Sequence, residues 1–362
     1  MGPGSTAGKP VGGGGGQAVQ TSPQTGRRGA EDRPGLLGRT PRGLRRWAPV
    51  AVVALLLTVY PFLVKDPFWT NLAILAMVGA TAAIAWNLLG GFGGQISFGH
   101  SIFFGVGAYT TGYLLVHRDL SPWLGMVAGA LLAVIAGLVI GFPVFRLRRH
   151  YFSIATIAMQ QIAFVLVLNS KPLGAATGLE LPLKPASLAN LQFSVRDPVG
   201  YHLVALGLLA LASLCTWLFL GGRPGAYLRA IRDDEEVARS VGVPVRRYKL
   251  LALSLSAALT ALAGGFFAMY ALFVQPTAVL SLSRSIEIVL IAVLGGAGTL
   301  WGPFVGAWVL TYVEQETRVA FSGGGSGLDL VIYGALVMLI AILEPSGLVG
   351  LARRLTMRRR HW

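Results

Sequence analysis

Apolar runs recur along this chain, and each is near the length of about 20 residues that one helix needs to cross the hydrocarbon core of a bilayer. Such runs fall at 48–64, 69–89, 97–116, 122–145, 151–168, 201–220 and 250–273, with a broken run at 285–313 and a last one at 328–343. In lipid every backbone polar group must be satisfied within the protein, so repeated spans of this kind fold as helices. Composition agrees: 54% of the 362 residues are hydrophobic and 12% charged, against roughly 25% charged in a soluble domain. The expected fold class is an all-α polytopic membrane protein of about ten helical segments. Some of these are broken by glycine, and one cytoplasmic segment is a helix outside the membrane.

The formal charge of +15 is concentrated in short blocks. With the N-terminus inside, seven intact spans put the loops 146–150 and 221–249 on the cytoplasmic side. Those loops hold 3 and 7 Lys/Arg, the segment 1–46 holds 8 and the C-terminal tail 5. Only Lys65, Arg118, Lys171, Lys184, Arg196, Arg284 and Arg318 fall outside. Lys and Arg accumulate on the cytoplasmic side of membrane proteins, so blocks bounded by apolar runs read as topology and not as a nucleic-acid footprint. Both termini are then cytoplasmic. That requires 285–313 to leave and return on one side, as two short helices meeting at Gly295, Gly296, Gly298, Gly302 and Pro303.

Three regions follow: a disordered basic tail at 1–46, rich in Gly, Pro and Arg, a transmembrane domain at 47–345, and a basic tail at 346–362. The single cysteine, Cys215, excludes a disulfide framework, and no Cys/His spacing suggests a metal. The segment 170–200 carries Pro172, Pro182, Pro185 and Pro198 and reads as an ordered, non-helical cap whose Lys171, Lys184 and Arg196 face a docking partner.

Two stretches carry the chemistry. Gly90–His100 holds five glycines among eleven residues, and unwound backbone at membrane depth is tolerated where it is buried or lines a cavity. Asn87, Gln95, Ser97, Gln160 and Gln161 present polar groups there, with His100 beside them and Gly295, Gly296 and Gly298 forming the facing break across a solute cavity. Close packing through small residues is the competing reading. His100 by itself reads as a hydrogen-bonded structural histidine. The second stretch, the loop 221–249, contains a helix-forming core at 226–241 with Arg232 and Glu236 spaced to pair, ended by Gly242 and Pro244.

Here a resemblance enters. Glu236-Val237-Ala238-Arg239-Ser240-Val241-Gly242 resembles the Glu-x-Ala-x-x-x-Gly loop by which ABC-importer permeases dock on their ATPases. Gly94-Gln95-Ile96-Ser97-Phe98-Gly99-His100, Leu228-Arg229-Ala230-Ile231-Arg232-Asp233-Asp234, Tyr248-Lys249-Leu250-Leu251-Ala252 and Gly295-Gly296-Ala297-Gly298-Thr299-Leu300-Trp301-Gly302-Pro303 resemble branched-chain amino acid permeases of the LivM/LivH type, LivM more closely. Two stretches depart from the LivM pattern: Gln160-Gln161-Ile162 replaces Gly-Glu-Ile, and Ala176-Thr177-Gly178-Leu179 shortens a glycine loop.

The resemblance implies the membrane-spanning subunit of a bacterial ABC importer in the cytoplasmic membrane. Its partners would be a second permease, two ATPase subunits, an extracytoplasmic solute-binding protein and the lipid bilayer, with no nucleic acid. Arg229, Arg232, Asp233, Asp234, Glu236, Ala238 and Gly242 would make the ATPase contact. The chain has no phosphate loop of the form Gly-x-x-x-x-Gly-Lys-Ser/Thr, so ATP is used by the partners, and the chain holds no cofactor and is not an enzyme. Branched-chain amino acids lead as solute, with urea and short amides open on the same scaffold. An ion-driven secondary transporter is the alternative of a different class; Glu287 is its one candidate relay residue.

Overall fold

The most central helix is the one with apolar residues on every side. In the computed structural model α2 (Pro67–Asn87) is buried along nearly its whole length, from Thr70 to Asn87 with few breaks. Such all-round apolarity marks a helix enclosed by others. It begins where Asp66 accepts a hydrogen bond from Phe68 N at 2.9 Å and Pro67 takes the first helical position, a capped start that needs no partner for the missing proline N–H. The structure describes residues 53–321 apart from 54, 65, 148 and 195–197, together with 2, 334–335, 347–348 and 350. The expected tails and the span at 328–343 thus lie almost wholly outside the described residues.

A helix at 55–63, α1, precedes α2. After α2 come α3 (His100–Arg118), α4 (Pro122–Val144), α5 (Arg149–Leu168), α6 (Val199–Gly221), the short α7 (Arg223–Asp233) and α8 (Glu235–Ser240), and α9 (Val245–Ala271). A single turn α10 (Pro276–Val279) leads to α11 (Leu282–Gly296) and α12 (Gly302–Phe321). Six stretches among the described residues are long and apolar enough to cross a membrane. α4, α5 and α6 are the least buried of them and turn Leu131, Val139, Leu166 and Leu218 outward, as a lipid-facing surface requires. The chain is an all-α polytopic membrane protein, with one small ribbon among the described residues, β1 (Leu179–Glu180) antiparallel to β2 (Phe273–Val274).

Of the two helices expected to be short, α11 has 15 residues, whereas α12 has 20 and is of full length. α3 starts at His100, later than the apolar pattern suggests, because residues 94–99 run without regular structure. Its glycines are packing residues. A Cβ at Gly107 would collide with the Ala261 carbonyl on α9, and one at Gly264 with the Phe104 carbonyl on α3. Backbone-to-backbone approach of this kind is how helices gain contact where lipid removes the hydrophobic drive.

The segment 170–194 is an ordered cap, as expected, though it includes two single 3₁₀ turns at Lys171–Leu173 and Ala175–Thr177. Trp123 Nε1 donates to Leu188 O at 2.8 Å and Gln192 Nε2 to Pro182 O at 2.9 Å. Its charges are less available than the sequence suggests. Lys184 pairs with Asp119 at 2.5 Å, Arg196 lies outside the described residues, and of the three basic residues expected to face a partner only Lys171 is both described and exposed.

Replacing Gly107 or Gly264 by Val should separate α3 from α9 and cost at least the roughly 1–3 kcal/mol of an overpacked core. Thermal unfolding of the detergent-extracted protein checks this. Gly207→Ala is the matched control: a Cβ there meets nothing within 4 Å, so its melting temperature should hold or rise.

Candidate functional site

The last turn of α2 widens into a π-helical turn at Leu88–Phe92 that carries Gly90 and Gly91, and the chain then reverses at Gly94 with φ +65°. A wide turn of this kind frees backbone groups from the regular ladder. The second break lies between α11 and α12, where Gly296 and Gly298 take φ values of +122° and +80°. Asn87 joins the two. Its Nδ2 donates to Thr299 O at 2.8 Å and its Oδ1 accepts from Gly298 N at 2.8 Å. A Cβ at Gly91 would overlap the Asn87 amide and the Gly298 backbone.

The two glycine clusters therefore do face one another, but they touch. The expected cavity between them is replaced by direct contact, because freed N–H and C=O groups among packed helices need partners and the amide of Asn87 offers both donor and acceptor. Gly295 belongs to packing: a Cβ there would strike the Gly302 carbonyl.

α7 lies against this junction. Arg232 Nη1 donates to Gly91 O at 2.6 Å, its aliphatic stem packs beside Gly94, and its guanidinium reaches the Gly298 backbone. Leu228, fully buried, sits against Gly93, and Ile231 is buried one turn on. The expected single helix over 226–241 is thus two helices. Asp234 takes an extended conformation and its side chain accepts from Glu236 N and Val237 N at 2.9 and 3.0 Å, capping α8. Aspartate at an N-cap followed by two glutamates in the first turn is a strong start signal; it was present in Asp234-Glu235-Glu236 and is what breaks the helix.

The break also redirects the charges. Arg232 serves Gly91 instead of Glu236, and the ion pairs here belong to Glu235, which meets Lys249 Nζ at 2.6 Å and Arg239 at 3.1 Å. The Lys249 side chain is only 3% exposed, so α8 is latched to the first turns of α9. Neither Glu235 nor Lys249 was assigned a role from the sequence. Of the remaining coupling candidates, Arg229, Asp233, Glu236 and Gly242 are exposed, whereas Ala238 is buried with Ile231 and Val245. Ala238 is therefore an internal packing residue. Gly242 lies in open space with φ +86°, so its own backbone conformation is what requires glycine. Val237 and Val241 are 59% and 74% exposed beside these charges.

The other pathway candidates separate into distinct places. His100 is fully buried, with Nε2 2.8 Å from Ser256 Oγ and Nδ1 3.3 Å from Ser97 Oγ. Ser256 gives its own proton to Ala85 O at 2.6 Å, so Nε2 must carry the imidazole proton and Nδ1 accepts. Both ring nitrogens are thereby used in a structural network that ties α2, α3 and α9. Trp86 Nε1 adds a bond to Ser97 O at 2.7 Å, and Ser153 and Thr156 on α5 hold the backbone of Ile96 and Phe98. Gln95 is buried nearby. Gln160 is buried and donates to Leu280 O at 2.5 Å, while Gln161 lies on the exposed side of α5, since successive helical residues point about 100° apart. Glu287 pairs with Arg284 at 2.8 Å on the first turns of α11, at the opposite end of that helix from the glycine break. Arg284 is thereby a partner of Glu287 and not a free surface charge.

Asn87→Ala should leave the partly buried Gly298 N–H and Thr299 carbonyl without this partner and lose at most about 1–3 kcal/mol for each, read as a lower unfolding temperature. For the latch, Glu235→Gln takes the carboxylate away from a Lys249 side chain that is only 3% exposed, and removing one side of a buried pair costs more than replacing both partners. Glu235→Gln should therefore be less stable than the double substitution Glu235→Gln with Lys249→Met, a sign that a double-mutant cycle reads directly.

Comparison with known proteins follows this geometry. Residues 68–342, which include both glycine breaks and the α7–α8 pair, match the family described as branched-chain amino acid transport system / permease component. The chain is 31% identical over 326 residues to the high-affinity branched-chain amino acid transport system permease protein LivM of Escherichia coli, covering 83% of this chain and 75% of that one. LivM of Salmonella typhimurium is 30% identical over 81% of this chain and 72% of its own length. The autoinducer 2 import system permease protein LsrC of Yersinia pseudotuberculosis is 30% identical over 55% and 57%. With its bundle and both breaks inside the matched region, the chain belongs to the branched-chain amino acid transport permease family.

Proposed function

We propose that this chain is the membrane-spanning subunit of a bacterial ABC importer for branched-chain amino acids, working with a second permease, two ATPase subunits and an extracytoplasmic solute-binding protein. The relatives are transport permeases, which supports a role without chemistry of its own; ATP is hydrolysed by the partners. The end of the bundle that carries α7 and α8 is cytoplasmic, as are both termini. The charge distribution supports this, since that end holds the Arg-rich blocks.

The observation that carries the reading is the 2.6 Å bond from Arg232 to the Gly91 carbonyl. α7 and α8 project a charged surface with exposed Val237 and Val241, the amphipathic character of a surface that a partner covers. A displacement of these helices by an ATPase has a rigid route inward. Leu228 and Arg232 press on the π turn of α2, and Asn87 passes the displacement to the α11–α12 junction. Broken helices suit this task because their hydrogen bonds can be exchanged without unwinding a regular ladder.

In proteoliposomes holding the assembled transporter, Arg232→Ala should lower uptake at least tenfold while ATP hydrolysis persists, and Val241→Glu should weaken retention of the ATPase subunits. Unchanged uptake per ATP in the first variant, with full ATPase retention in the second, would overturn the coupling assignment.

A further inference from the structure

At the end of the bundle that carries α7 and α8, two arginines converge on one aromatic ring. Arg246, in the first turn of α9, holds its guanidinium 3.5 Å from the centre of the Phe142 ring and donates from Nη2 to the Phe142 carbonyl at 2.7 Å. Arg146, just beyond α4, has its guanidinium 5.4 Å from the same ring centre, so the two cations lie no more than about 9 Å apart. A ring attracts a cation but does not neutralise it. Among the described residues neither arginine is in an ion pair, and Glu235 of the adjoining α8 is taken up by Lys249 and Arg239. Arg148, Arg149 and Arg247 add to the same basic blocks in sequence. Two guanidiniums held this close need an anion between them, and their forks of N–H donors match the oxygens of a phosphate.

The same ring is the end of an apolar stripe. Phe142, Leu138, Ile135 and Leu131 lie on one face of α4 by their helical spacing, and all four are exposed. At the far end Leu131 enters an apolar groove of about 890 Å³ between α3, α4 and α5, walled also by Val106, Tyr113 and Val167. From Phe142 to Leu131 the stripe runs about 16 Å along the helix. That is close to the depth of one leaflet in a hydrocarbon core roughly 30 Å thick. A protein partner at this end would meet the arginines but not the stripe, which leads away from them along a membrane-spanning helix.

We infer that this face binds an anionic phospholipid, with its phosphate on Arg146 and Arg246 and one acyl chain along α4 from Phe142 toward Leu131. The inference needs only the membrane-spanning fold and is independent of the import reading. Basic groups between helices at a membrane surface favour anionic headgroups, and these two arginines supply positive charge alone, so a headgroup that carries its own ammonium gains less.

The test places a bimane fluorophore on Leu138→Cys in a Cys215→Ala background, with the assembled transporter in phosphatidylcholine vesicles. Leu214→Cys is the control, exposed and at a similar distance from the end of α6 that leads to α7. Phosphatidylglycerol with brominated chains should quench the Leu138 label at about one third or less of the mole fraction that brominated phosphatidylcholine requires, and the two lipids should quench alike at Leu214. Arg146 is exposed, so Arg146→Gln should leave the fold intact and remove part of the preference. Adding Arg246→Gln should remove the rest, while Arg246→Lys should keep part of it. Sodium phosphate should weaken the preference no more than sodium chloride of equal ionic strength. Equal quenching by the two lipids at Leu138, the same preference at Leu214, or a preference that survives both glutamine substitutions overturns the site. Displacement specific to phosphate overturns it in favour of a free anion. Loss of the ATPase subunits from Arg146→Gln with lipid preference unchanged overturns it in favour of a protein partner.

Discussion

The junction depends on backbone groups that the glycine breaks release among packed helices, where the protein itself supplies their partners. Each orphaned donor or acceptor in such a place costs about 1–3 kcal/mol, so two breaks could not persist side by side without dedicated partners. Asn87 supplies them to Gly298 and Thr299, and Arg232 supplies one to Gly91. The same three bonds bring α2, α7, α11 and α12 to one point. Satisfying the broken backbone and connecting the peripheral helices to the bundle are thus one solution to one physical problem.

Around that junction the bundle is closely packed and hydrogen-bonded. The His100–Ser256–Ala85 chain of hydrogen bonds and the Trp86–Ser97 bond lock the extended segment after Gly94 to α2 and α9. The α3–α9 crossing is held by carbonyls lying where Cβ atoms would otherwise be. Under the proposed coupling role, a displacement of α7 and α8 would reach the breaks, where the regular ladder is already interrupted, before the packed crossings. In the function proposed above, α7 and α8 would be where force arrives, and the breaks where the helices would rearrange.

Much of this was legible in the chain because bilayer physics writes itself into sequence. Apolar run length sets helix length, so the helical architecture, the interrupted run at 285–313 and a charged helical segment between α6 and α9 could all be read. Even the division of α7 from α8 had a local signal in Asp234-Glu235-Glu236, outweighed in the reading by the helix propensity of the surrounding residues. Lys249 had no such signal, since a lysine four residues beyond Val245 reads as a surface charge until α8 folds back and Glu235 covers it.

What the sequence determined by itself, then, is which segments are helices, where they break and which end carries the charge, because those follow from local length, periodicity and composition. What only the tertiary structure decided is which groups meet: that Asn87 closes the gap between the glycine clusters instead of lining it, that Ala238 packs inward while Val241 faces out, and that Gln160 and Gln161 point to different surroundings. Those outcomes turn on the rotation of each helix about its axis and on contacts between residues as many as 212 positions apart. No local pattern carries that information, because the preference of one side chain for a partner has meaning only after packing has chosen its neighbours.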